Sequence, residues 1–90
     1  MEYQIIYTKA FKKSFKKLSI ALQGEVLDIL YRLACGEALE PKYKDHLLKG
    51  KLKGFRDCHI RPDLILIYEK DYPMLILTAI DIGNHGDLFK

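Results

Sequence analysis

Cysteine is scarce in this chain: Cys35 and Cys58 are the only two in 90 residues. Two thiols cannot build a disulfide framework, and neither belongs to a CxxC or Cys/His arrangement of the kind that closes a zinc site. A reducing compartment, the cytoplasm, is therefore expected. Cys58 lies in an apolar-alternating stretch and reads as a packed thiol rather than a reactive one. Long hydrophobic runs are also missing. No segment reaches the roughly 18 apolar residues of a membrane span, and the apolar run in MEYQIIYTKAFKK is too short for a signal peptide, so no membrane partner is expected. Repeats, low-complexity tracts and linkers are absent as well. With 49% apolar and 30% charged residues, residues 1–90 read as one domain with a modest core, which a bound partner would help to stabilise.

What is present is organised by period. Tyr3 to Tyr7 is β-branched and aromatic enough for a strand. Thr8 then offers an N-cap to a helix carrying Phe11, Phe15 and Leu18 on one side. Ser19 caps a second helix, in which Leu22, Val26, Ile29, Leu30 and Leu33 recur at helical spacing and Gly36 and Pro41 punctuate the end. The two helices are expected to form an antiparallel hairpin. From His46 the period becomes that of strands: His46 to Lys49, Gly54 to Arg61, Leu64 to Glu69 and Met74 to Ile80, separated by turn residues. Leu64 to Tyr68 is apolar throughout and reads as a central strand. Gly83 to Lys90 allows no more than a turn of helix. The fold class is thus α+β, with the N-terminal strand and a two-helix hairpin packed on one face of a mainly antiparallel sheet and the other face free for a ligand.

Charge is concentrated as well. Between Lys42 and Arg61 seven basic residues meet two acids, giving +5, while the rest of the chain sums to −2. Lys49, Lys51, Lys53, Arg56 and Arg61 are the candidate phosphate-binding residues of this stretch, although a solvated edge hairpin would look the same. In the strand Gly54 to Arg61, alternation places Cys58 and Ile60 on one face and Asp57, His59 and Arg61 on the other.

Three histidines, His46, His59 and His85, fall at or just beyond strand ends, which converge at the rim of a sheet. Imidazole exchanges protons near neutral pH. Cleaving RNA by internal attack needs a base at the 2′-hydroxyl, an acid at the departing 5′-oxygen and positive charge on the transition state, which Arg56, Arg61 or a nearby lysine would supply. The histidine spacings of 13 and 26 residues match no short-range metal-ligand motif, so no metal site is expected. Three unrelated surface histidines also fit the pattern.

The segments Tyr43 to Gly50 and Lys53 to Tyr68, with the tail Gly83 to Phe89, contain HxLxG, RDxHxxPD and GxHxxLF in that order. Together these resemble the YafQ-type toxins of the RelE superfamily. The resemblance covers about the C-terminal half; the N-terminal half agrees in its strand-helix-helix layout. It implies a RelE-like fold, ribosome-dependent cleavage of messenger RNA in the A site, and inhibition by a co-encoded DinJ-like antitoxin with an acidic segment, without a cofactor. Carried over by position, His46, His59, Asp63, His85 and Phe89 match the family's functional set, with His85 the leading acid/base and Phe89 positioning a base. Asp57 stands where the family also carries an acid, and Asp63 also suits a plain turn. One position departs: the family's arginine two residues before the glycine of GxHxxLF is here Asp81, whose carboxylate would repel the scissile phosphate. A catalytically impaired relative that still binds ribosome and antitoxin is therefore the alternative reading.

Overall fold

The computed structural model describes residues 2–89. Five strands form one sheet in the order β1-β5-β4-β3-β2, with β1 Gln4–Tyr7, β2 His46–Leu47, β3 Arg56–Arg61, β4 Leu64–Asp71 and β5 Ile76–Gly83. All neighbours are antiparallel except β1, which runs parallel to β5 in the register Gln4↔Ile76 to Tyr7↔Ala79. The all-apolar start of β4 sits at the centre of the sheet, as its composition requires when both faces are covered.

Helix α1 is Lys9–Phe15 and α2 is Ile20–Ala34. The Thr8 hydroxyl accepts from the Phe11 N–H and the Ser19 hydroxyl from the Leu22 N–H, so both expected caps are made. Thr8 also donates to the Ile80 carbonyl at 2.5 Å, which fastens α1 beside β5. Val26, Ile29, Leu30 and Leu33 of α2 pack with Phe11 of α1 onto Cys58, Leu64, Leu66, Tyr68, Leu77, Ala79 and Ile82 of the sheet. Cys58 is fully buried, and burial pushes its thiol up, which leaves it un-ionised at neutral pH.

Several expected boundaries move for local reasons. β2 is only two residues long because Gly50 takes a positive φ of 71° and opens a single 3₁₀ turn, Gly50–Leu52. Gly54, at φ 98°, delays β3 until Arg56. β5 begins at Ile76 rather than Met74, after a turn in which Leu75 adopts φ 54°. The tail forms one helical turn, α3 His85–Leu88, capped by Asn84, whose side chain accepts from the Asp87 N–H at 2.8 Å.

The face away from the helices is not bare, contrary to expectation. Asp57, Ile65 and Ile67 belong to that side of the sheet, outside the helix-covered cluster, yet are only 3%, 1% and 3% exposed. Part of the cover is legible in the lining of one groove. Leu88 and Phe89, which follow β5, line it together with Lys49, Lys51 and Leu52, which precede β3, so the tail reaches across the sheet toward the β2–β3 edge.

Candidate active site

Asp57 is the centre of the site. It pairs with His46 across β2–β3 and with Ile67 across β3–β4. Its Oδ1 is buried without a hydrogen-bond partner among the described residues, and the nearest cation-forming group is His46 Nδ1 at 3.1 Å. That nitrogen also lies 2.6 Å from the Lys44 carbonyl oxygen. A carbonyl only accepts, so Nδ1 carries the hydrogen and directs it to Lys44, which leaves Asp57 as an electrostatic neighbour rather than an acceptor. Burial raises the Asp57 carboxyl above its ordinary range, while His46, His59 and His85 pull it down and Asp45 adds a smaller upward push. His46 thus lies against this buried carboxylate, and His59 shares its face of β3.

Phe89 stands against His85, with ring centroids 4.8 Å apart and planes tilted by 39°. The same ring lines a groove of about 300 Å³ with Lys49, Lys51, Leu52 and Leu88. Two of the expected phosphate-binding lysines therefore flank the expected base-positioning ring. Lys53 is exposed at the end of the 3₁₀ turn and does not line that groove.

The arginines are placed differently from the expectation. A β-bulge lies between His59 and Arg61: His59 pairs with Ile65, but Arg61 pairs with Leu64, so Ile60 is the extra residue. The bulge reverses the alternation and turns Arg61 to the helix side, where Nε and Nη2 donate to the Glu25 carboxylate of α2 at 2.8 and 2.6 Å. Asp57 and His59 do share a face; Arg61 does not join them. Arg56, on the Cys58 side, donates to Asp45 Oδ1 at 3.3 Å, and Tyr68 donates to the same oxygen at 2.5 Å. Arg56 lines a groove with Leu33, Gly36 and Lys70 on that side. Neither arginine faces Asp57.

Asp63 occupies the tight β3–β4 turn and lines a cleft with Ser14, Lys17, Asp81, Asn84 and Asp87. Asp81 is held there: its Oδ1 accepts from the Ser14 hydroxyl at 3.1 Å and from the Ile82 N–H at 2.8 Å. Sequence reasoning missed Asp45 and Glu25. The only trace of Asp45 was its place beside His46, and Glu25 falls off the apolar face of α2 with nothing local to mark it. Among the described residues no three His, Cys, Asp or Glu side chains are grouped as a metal site, and no helix is long and apolar enough to cross a membrane.

The α+β architecture, a mainly antiparallel five-stranded sheet with its helices on one face, is that of the RelE-type toxins, and comparison with known proteins agrees. Residues 3–90 match the family described as the bacterial toxin of type II toxin-antitoxin system, YafQ, and the chain belongs to that family. It is 47% identical over 47 residues to the mRNA interferase toxin YafQ of Escherichia coli K12, an alignment of 52% of this chain and 49% of that protein. The crystal structure of a metal-bound toxin from Helicobacter pylori superposes with a TM-score of 0.85 at 36% identity, covering 99% of this chain and 100% of that one. A chain of the E. coli DinJ–YafQ toxin–antitoxin complex superposes at 0.84 with 30% identity, covering both chains completely.

Proposed function

We propose that this toxin is a ribosome-dependent endoribonuclease of the cytoplasm that cleaves messenger RNA in the A site by metal-independent acid–base catalysis. The observation that carries the reading is His46 set 3.1 Å from buried Asp57, with His59 on the same face of β3 and His85 against Phe89 at the start of α3. With Nδ1–H committed to the Lys44 carbonyl, His46 presents Nε2 as an acceptor. A 2′-hydroxyl that loses its proton there attacks the adjacent phosphorus. The P–O5′ bond breaks, a 2′,3′-cyclic phosphate forms, and the departing 5′-oxygen takes a proton from an imidazolium. His85, packed on Phe89, is assigned that acid role, with His59 holding or relaying protons. Asp57 offsets the positive charge that His46 acquires. With Arg56 and Arg61 both tied to carboxylates on the helix side, Lys49 and Lys51 are assigned the charge on the transition state. Asp63 and Asp81 have no direct part in this scheme.

Induction should arrest growth and cut ribosome-bound message near codons. His85→Ala should abolish both, and arrest that survives the substitution would sink the assignment. Cleavage should persist in chelator; its loss would favour a metal-dependent hydrolase. The partner is proposed to be a DinJ-like antitoxin whose acidic segment covers part of Lys42 to Arg61. Asp81 supports a second reading, an impaired toxin that binds ribosome, messenger RNA and antitoxin but cleaves slowly. Losing one donor to a developing oxyanion typically costs a hundredfold or more in rate, about 2.7–4 kcal/mol.

A further inference from the structure

A second groove, of about 570 Å³, opens at the other end of β3. Its lining includes His59, Lys42, Lys44 and Arg61, with Glu25 as its one acid and Tyr43 between the two lysines. The Lys49–Phe89 groove lies before the start of β3 and this one at its end, so the two basic grooves bracket His46 and His59 along the β2–β3 edge. Lys44 is fixed here twice: its carbonyl holds His46, and its backbone takes the left-handed conformation at φ 50°.

The Arg61–Glu25 fork has the geometry with which guanidinium grips a phosphate, two parallel N–H donors on two oxygens. Both side chains are open to water, at 56% and 38% exposure, so the pair is screened and readily exchanged. Tyr43 does not offer a free stacking surface, because Lys42 and Arg32 already lie over its ring at 5.1 and 5.9 Å. The lining therefore suits a chain of phosphates rather than a stacked base.

We infer that this groove is a phosphate-backbone subsite for single-stranded RNA leaving the histidines, and that Glu25 acts as a stand-in anion that occupies Arg61 until a phosphate displaces it. The inference rests on the RNA reading of the histidine site but concerns binding, not cleavage. RNA is favoured over an acidic peptide because the groove is continuous with His59. A backbone that passes the histidines enters it without leaving the surface.

The test uses the full-length toxin and a 2′-O-methylated RNA oligonucleotide, which binds but cannot be cleaved, titrated over a range of salt. Glu25→Gln keeps an acceptor for Arg61 while removing the competing charge. It should bind about two- to fivefold tighter at low salt, the change that release of an exposed ion pair permits. Its plot of log affinity against log salt should steepen by about 0.7, one phosphate contact on single-stranded nucleic acid. Arg61→Gln and the Lys42→Gln/Lys44→Gln double variant should bind more weakly with shallower slopes. Unchanged RNA affinity in all three variants overturns the subsite. So does an Arg61-dependent gain for a poly-glutamate peptide with none for RNA, which would make the occupant an acidic partner. Shifted affinities in a toxin that never cuts ribosome-bound message would instead leave the subsite standing and remove the nuclease reading.

Discussion

Asp57 is a carboxylate kept where solvation is poor and, among the described residues, no donor reaches its Oδ1. An ionised carboxylate is costly in such a place, so Asp57→Asn, which removes the charge, should stabilise the toxin at neutral pH. Because burial raises the Asp57 carboxyl, the cost exists while the group is ionised. The gain should be full above the raised value, fade as pH falls through it, and vanish below the ordinary carboxylate value of about 3.9. Thermal melts of both proteins across acidic pH check this, and a gain that persists at pH 3 would remove the electrostatic cause. Cleavage by the same variant should fall, since the imidazolium loses its counter-charge. Asp81→Arg tests the other acid. It should speed cleavage roughly tenfold or more if a missing donor limits the rate. It should also lower stability by about 1 kcal/mol as the Ser14 hydroxyl loses its acceptor. An unchanged rate would take Asp81 out of the account of catalysis.

Among the elements, β2 depends on few anchors. Two residues of ladder and the Leu48 N–H bond to the Phe55 carbonyl hold little; Asp45 adds bonds to buried Tyr68 of β4 and to Arg56 of β3. Tyr68→Phe leaves the core filled and removes one charge-assisted hydrogen bond, so a loss of about 1.5–3 kcal/mol is expected, together with faster amide exchange in Lys44 to Leu47. Exchange that stays slow there would show that the 3₁₀ turns, not Asp45, hold the histidine. The elements also show what the sequence could reveal. α2, its Ser19 cap and central β4 were legible because each depends on residues within one or two turns of itself. The histidines were legible as a motif, though the place of His46 beside Asp57 required the sheet register. The Ile60 bulge was not legible: strict alternation from Cys58 predicted Arg61 beside Asp57, and nothing local marks the extra residue. Nor could β2's length be read from Leu47 and Leu48, since the backbone turn at Gly50 decides it.

For the whole molecule, a core made of few large side chains leaves small reserves. Leu77 of β5 is fully buried in the core beneath the helices, and Leu77→Ala should cost about 2–5 kcal/mol, a large part of the 5–15 kcal/mol typical of a domain. The melting temperature should fall by roughly 10 °C or more. A bound antitoxin should restore much of it by mass action. If that antitoxin holds the basic stretch through charge, its affinity should weaken as salt rises, and an affinity indifferent to salt would count against the picture. The order of the strands adds a constraint on time. β1 has β5 as its sheet neighbour, with Gln4 waiting for Ile76, so the first strand to be synthesised can take its place only after the last strand has left the ribosome. His85 follows later still. Until then the emerging chain lacks both a closed sheet and the residue proposed as its acid, so under the proposed nuclease activity a chain still being made should not cut.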